Sequence, residues 1–403
     1  MAKNRFANPF RPGAGHMPPY LAGREHELKE FQRLLKQDVV LENIVLTGLR
    51  GTGKTVLLDT FKPLAIKERW NWVGTDLSES TSISEERMAV RLLTDLAVIS
   101  STVIVEEQEV WGMGFQPPKS SISRRLSFEN MLECFKETPG LVADKLKAIL
   151  ELIWRCLKPH GVKGIVFAYD EAQNLSDHAS EKEYPLSLLL DVFQSIQKKE
   201  IPFMLVLVGL PTLFPKLVDA RTFAERMFRV VLLDRLNDPD SRQAIRKPIQ
   251  DSHAPINLDE ESVEQIVEAS GGYPYFIQFI CRELYDALIQ GHETNEGNRL
   301  PIKEITRKLD SDFFAGRWAR VTERQRQLLE LIAQVDSCER GFTAAQIAEK
   351  SKSSQRKPFG QSHISQMLLS LCESGVIHRS RQGVYAFAVP LLSRFILRQM
   401  AAS

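Results

Sequence analysis

Apolar positions along this chain follow two alternating rhythms up to about residue 237. From Glu25 to Gln37, Leu28, Phe31, Leu34 and Leu35 recur at helical spacing. Asn43–Thr47 follows as a continuous apolar run leading into a glycine, the pattern of a buried strand. Trp72–Asp76, Ile165–Asp170, Phe203–Val208 and Val230–Leu233 repeat it, β-branched or aromatic, most with helical material after them. Short buried strands alternating with helices predict an α/β fold built on a parallel sheet. From Asp238 to about Phe314 the strand pattern stops, and Val263–Ala269 and Tyr275–Leu288 mark a helical segment.

Two stretches depart from this regularity. Residues 1–20, rich in Pro, Gly, Asn and Arg, show no periodicity and read as a flexible arm. Residues of about 103–160 are long for a strand connection: Gly112–Arg125, with Pro117, Pro118 and several serines, reads as an exposed loop, and Asp144–Leu157 resumes a helix with a broad apolar face. We treat this region as an insertion and a candidate partner surface.

The last segment has its own pattern. A first helix starts at Thr322 with Leu328, Leu331, Ile332 and Val335 inward. A second starts at Thr343 as cap. A third runs from Ser362 to about Ser374, burying Ile364, Met367, Leu368 and Leu371. Val376–His378 and Val384–Phe387 then pair as a hairpin across residues 379–383. Three helices followed by a hairpin predict a winged helix. The expected organisation is an arm (1–20), an α/β core (21–237), a helical lid (238–316) and a winged-helix domain (317–403).

The chemistry concentrates in residues 48–55, a complete G-x-x-x-x-G-K-[ST] motif between a predicted strand and a helix from Val56 to Lys62. Gly48, Gly51 and Gly53 let backbone amides, including that of Thr52, curl around a polyphosphate. Lys54 neutralises the β- and γ-phosphates, and Thr55 offers a hydroxyl to Mg²⁺. This predicts a nucleoside triphosphate as ligand. The strand Gly164–Tyr169 ends in Asp170 and Glu171, carboxylates at the sheet edge where α/β folds bind ligands. Asp170 is the expected second holder of Mg²⁺, and Glu171 the group that orients and deprotonates an attacking water.

Composition sharpens the reading of the last domain only. The 403 residues carry a net charge of +1, which names no partner, but residues 317–403 hold 13 Lys+Arg against 6 Asp+Glu, a net +7. That asymmetry points to a polyanion. Lys352, Arg356, Lys357, Arg379 and Arg381 are the candidate phosphate contacts, and Gln361 and Gln366 on the third helix the candidate base contacts in duplex DNA. The alternative is that this domain docks a protein. The five cysteines are scattered, no apolar signal stretch opens the chain, and the longest apolar run falls well short of the ~20 residues that span a bilayer. The expected setting is the cytoplasm.

With these motifs in place the chain resembles AAA+ ATPases, chiefly the initiator-like branch and related STAND-type ATPases, from about Tyr20 onward. Gly23, Arg24 and Glu25 resemble an entry motif near the adenine. Gly209 falls at the sensor-1 position, Arg221–Arg229 resembles the arginine-finger region, and Gly271–Pro274 resembles a glycine-proline motif of the lid. The resemblance implies ATP and Mg²⁺ as cofactors, Arg24, Tyr273 and Pro274 near the nucleotide, homo-oligomeric assembly, and Arg226 as the catalytic arginine reaching a neighbouring subunit. It implies either an ATP-driven DNA-binding switch or a signalling ATPase holding a separate effector protein. Two departures qualify it. Glycine replaces the usual polar sensor-1 residue unless Thr212 serves, and Tyr273 stands near the place of the sensor-2 arginine. Hydrolysis is then slow, or completed by a partner.

Overall fold

Five of the apolar runs pair into a single sheet. In the computed structural model, which describes residues 7–101, 104–110, 120–294, 301–336, 338–354 and 358–402, the order is α1 (Glu25–Leu35), β1 (Asn43–Gly48), α2 (Lys54–Lys67), β2 (Trp70–Val73), α3 (Glu85–Ser100), β3 (Ile104–Val110), β4 (Ser120–Arg125), α4 (Phe128–Glu137), α5 (Val142–Leu157), β5 (Gly164–Tyr169), α6 (Pro185–Lys198), β6 (Phe203–Gly209), α7 (Leu213–Ala220), α8 (Ala224–Met227) and β7 (Phe228–Leu233). The strands lie in the order β2-β5-β6-β1-β7, with β2–β5, β5–β6 and β6–β1 parallel. This is an α/β architecture with helices packed around a central sheet. Because β1, β5 and β6 run in parallel, the strands that precede the glycine-rich loop and Asp170 both end at the carboxyl edge of the sheet.

The chain folds as two compact units. One comprises His26–Thr47 and Leu57–Leu232, the other the residues up to Glu25, Gly48–Val56, and Leu233 onward. In the first, every residue of β5 and β6 is buried, and α3, α5 and α6 supply Leu93, Ile149, Leu150, Leu189 and Phe193 to the core around them. Phe167 meets Phe193 edge-on at 4.9 Å. The helical half of residues 103–160 is therefore core rather than ornament, because the broad apolar face of α5 has to be covered. The expected loop over 112–125 is also corrected in part: residues 120–125 are β4, antiparallel to β3, and 111–119 lie outside the described residues. β2 runs from Trp70, earlier than its periodicity suggests, to Val73, and Gly74 follows it. A Cβ there would fall 1.8 Å from the Ala168 carbonyl oxygen, at φ +136°. The chain beyond it brackets Asp170, whose N–H donates to the Thr75 carbonyl (3.2 Å) and whose carbonyl accepts from Leu77 N–H (2.9 Å).

The second unit continues with α9 (Asp238–Asp251), α10 (Glu260–Ser270), α11 (Pro274–Thr294), α12 (Ile302–Leu309), a π-helical turn over Asp310–Ala315, α13 (Gly316–Trp318), α14 (Glu323–Ala333), β8 (Phe342–Thr343), α15 (Ala344–Ser354), α16 (Gln361–Glu373), β9 (Ile377–Arg381), β10 (Val384–Phe387) and α17 (Leu392–Ala402). Thr322 caps α14 in a reciprocal capping box with Gln325, and Thr343 and Gln346 repeat the arrangement ahead of α15. The three short strands pair in the order β8-β10-β9. One core joins α9–α12 to the C-terminal elements, with Phe314 stacked on Phe395 of α17 at 5.2 Å and against Phe276 of α11 at 5.9 Å. α17 has no counterpart in the sequence reading.

The N-terminal arm is not loose where it is described. Asn8 donates to the Arg282 carbonyl and the Asp286 carboxylate at 2.9 and 2.8 Å. Phe10 is 3% exposed and meets Tyr285 edge-on, while Arg11 N–H donates to Gln278 (3.1 Å). Low periodicity hid this, because an irregular segment anchored by one aromatic leaves no repeating signal. Phe10→Ala should destabilise this unit by about 3 kcal/mol. Chemical denaturation followed by tyrosine and tryptophan fluorescence checks it, and an unchanged midpoint would mean that the arm is free in solution.

Candidate nucleotide site and basic module

The glycine-rich loop leaves β1 and turns into α2 with Gly51 and Gly53 in left-handed conformations, φ +79° and +88°, which a side chain would strain. Its carbonyls have partners. The Lys54 ammonium donates to the carbonyls of Gly48 (3.0 Å) and Leu49 (2.9 Å), and the Thr52 hydroxyl donates to Leu49 O (2.9 Å). The Gly51 carbonyl accepts from Tyr275 N–H (3.2 Å) at the start of α11. The Thr52 carbonyl accepts from Arg24 (3.1 Å), whose guanidinium also reaches the Asp234 carbonyl (2.9 Å) and is buried. Gly48, Gly51, Thr52, Gly53 and Lys54 are thus gathered in one curl, with Arg24 binding its backbone from outside. Gly15 of the arm passes beside Thr55, where a Cβ on it would lie 3.4 Å from the Thr55 methyl.

Tyr273 and Pro274 of the same unit take distinct places. Pro274 opens α11, where a missing N–H costs nothing. Tyr273 is held by burial and the nearby Asp234 charge with its phenol pushed up to about 12, so it remains a neutral donor under ordinary conditions. It lines a broad cleft with Asp234, Arg235, Glu339, Arg340 and Arg394. The sequence reading missed Tyr275. Its backbone holds the loop and its ring packs on Phe313 at 5.3 Å, neither of which a motif can register.

In the other unit, Asp170 is buried and its carboxylate accepts from Glu171 N–H at 2.7 Å. Glu171 is exposed, in a left-handed conformation at φ +51°, an outlier of the kind that concentrates at functional sites. Its carboxylate accepts from the Gln173 amide. No trio of His, Cys, Asp or Glu among the described residues forms a metal cage. Thr55 in one unit and Asp170 in the other each carry a hard oxygen donor, the ligand type that Mg²⁺ takes alongside water and phosphate oxygens. The three arginines of 221–229 separate clearly. Arg221 grips Asp191 with two bonds (2.8 and 2.7 Å), and Arg229 pairs with Glu30 and Glu42. Arg226, on α8, is exposed with no acidic partner among the described residues.

In the basic segment, Gln361 and Gln366 are exposed on α16, while Ile364, Met367, Leu368 and Leu371 form its buried face. Arg379 and Arg381 are both exposed on β9, and a bulge between them sets Arg381 opposite Val384 and Arg379 opposite Tyr385. β9 runs on to Arg381, so the turn is shorter than expected, with Gly383 at φ +75°. Lys352 is exposed at the end of α15. Arg356 and Lys357 lie outside the described residues. Part of the net positive charge is consumed internally, since Arg398 binds Asp310 through two bonds (2.9 and 2.5 Å) and Arg394 pairs with Glu339. No described helix is long and apolar enough to cross a membrane.

Known proteins resemble this chain in fold more than in sequence. The Walker-type ATPase PABY2304 of Pyrococcus abyssi superposes with a TM-score of 0.56 at 15% identity, covering 94% of this chain and 96% of that one. The ORC2 protein of Aeropyrum pernix, solved as ADPNP–ADP complexes, gives 0.52 at 12% identity over 97% and 98%. A family described as Domain of unknown function (DUF8462) matches residues 311–396. No curated protein sequence matches the chain.

Removing the guanidinium should loosen the loop from outside. Arg24→Ala, losing two charge-assisted bonds worth about 1.5 kcal/mol or more each, should weaken ATP binding by at least about tenfold. Fluorescent-nucleotide titration checks this, and unchanged affinity would mean that the loop holds its shape alone.

Proposed function

We propose that the chain is an ATP-binding and ATP-hydrolysing switch whose C-terminal winged helix grips duplex DNA, with ATP-dependent assembly controlling the grip. The observation that carries it is the loop over Gly48–Thr55, with carbonyls turned to partners and Lys54 held inside its curl, on a sheet whose next-but-one strand ends in Asp170 and Glu171. The fold shared with a Walker-type ATPase, and with an ORC2 protein solved with ADPNP and ADP, supports the same reading.

On this reading Lys54 neutralises the phosphates, and Thr55 and Asp170 are the residues that hold Mg²⁺, the ion that supplies charge neutralisation to the leaving phosphate. Glu171 accepts the proton of the attacking water. Arg226 completes the site of a second copy of the chain, a role that Arg221 and Arg229, bound to carboxylates within their own unit, do not offer. Gln361 and Gln366 face the DNA bases, and Lys352, Arg356, Lys357, Arg379 and Arg381 its phosphates.

A second reading, a signalling ATPase whose basic module docks a separate protein, is favoured by one observation. Leu369, on the exposed side of α16 that carries Gln366, is 58% exposed, and an apolar side chain there suits a protein surface better than a groove of base edges.

Lys54→Ala should abolish ATP binding. Glu171→Gln should retain it and lose hydrolysis by about 100-fold or more; an unaltered kcat would place the water-activating role elsewhere. For DNA, replacing Arg379 and Arg381 with alanine should reduce the log–log salt slope of binding by about two, at roughly −0.9 per phosphate contact, and weaken all sequences alike. Filter binding over a salt series reads this. If DNA binding is absent at ~50 mM salt and Leu369→Asp releases a protein partner, the docking reading stands instead.

A further inference from the structure

The sensor-1 position is glycine, and the structure fills the space above it from elsewhere. A Cβ at Gly209 would lie 2.5 Å from the Oε1 of Gln173, so the glutamine amide occupies the volume that a side chain from β6 would take. Its orientation is fixed by chemistry. Leu210 N–H donates to Oε1 at 3.1 Å, and a backbone N–H can only donate, so the oxygen must face β6. The Nε2 end is left toward Glu171, whose carboxylate it meets within hydrogen-bond reach. The backbone of Gln173 is fixed as well, its carbonyl accepting from Lys216 Nζ at 2.7 Å.

We infer that Gln173 is the positioning residue for Glu171, an amide delivered from the loop after β5 in place of a polar side chain from β6. The inference rests on the reading of Glu171 as the base. One oxygen of the carboxylate is held by Nε2, so the carboxylate adopts one orientation at an exposed position that would otherwise let it rotate. The other oxygen remains for the water. Glycine at 209 is then a requirement of this arrangement rather than the loss of a sensor.

The test compares steady-state ATPase activity and nucleotide affinity in the full chain. Gln173→Ala should lower kcat by at least about tenfold and leave KM for ATP within about twofold. Gly209→Ala should do the same, since its methyl displaces the amide. Gln173→Ala combined with Gly209→Asn, which returns an amide from β6, should recover part of the loss. Gln173→Glu retains an acceptor for Leu210 N–H but loses the Nε2 donor to Glu171, so it should lower kcat as Gln173→Ala does. A Gln173→Ala enzyme with unaltered kcat overturns the inference, and so does a Gln173→Glu enzyme with unaltered kcat should the alanine variant fold poorly. Glu171→Gln, measured alongside, separates the two layers. If it is inactive while Gln173→Ala is fully active, only the positioning role falls; if it is fully active, the base assignment falls and the positioning role with it.

Discussion

A glycine-rich loop can present its amides to an anion only while its carbonyls point elsewhere, and each carbonyl turned outward needs a partner. Here those partners come from four sources. Lys54 and Thr52 serve Gly48 and Leu49 from within the loop, Tyr275 N–H serves Gly51 from the start of α11, and Arg24 serves Thr52 from just before α1. Arg24 does most to define the local structure, because its guanidinium also binds the Asp234 carbonyl and so joins three separate stretches of chain. Burying an arginine is costly unless its donors are met, and two backbone carbonyls meet them. The loop's shape is thus a property of the unit around it.

That unit has one continuous core. Phe10 of the arm, Phe276 of α11, Phe314 of the π-helical turn and Phe395 of the last helix belong to the same apolar cluster, so the segment that holds the loop and the segment that carries Arg379 and Arg381 fold together. In the proposed switch this matters, because two ligands influence each other only through differential interactions with states of a shared structure. Interdigitated aromatic packing of this kind offers such a medium: cores repack between discrete arrangements more readily than they deform.

Much of this was legible in the residues, for identifiable reasons. The strands at Asn43, Ile165 and Phe203 announced themselves because central parallel strands are apolar throughout. The loop at Gly48–Thr55 did so because phosphate binding constrains residue type at each position. The helix starts at Thr322 and Thr343 were marked by a threonine ahead of each apolar pattern, the second read as a cap. What escaped was set by distance in sequence. Phe10 docks on a helix more than 260 residues away, Tyr275 binds the loop through a backbone N–H that every residue type offers, and Gln173 meets Gly209 only after the sheet has formed. The region 103–160 was set apart because its length exceeded a normal connection, although the apolar face of α5 already required a partner in the core. Composition could not show which of the arginines at 221–229 are paired; the fold brings Asp191 to Arg221 and Glu30 and Glu42 to Arg229.

The central claim joins the two ends of the chain, nucleotide chemistry at Lys54 and Glu171 and a polyanion at the basic module. It is tested most directly by the rate of ATP hydrolysis of the intact protein as duplex DNA is added at low salt. The account predicts a severalfold rise in kcat that saturates with DNA and disappears as salt screens the module. A rate indifferent to DNA at every concentration, in a protein that hydrolyses ATP, would contradict it.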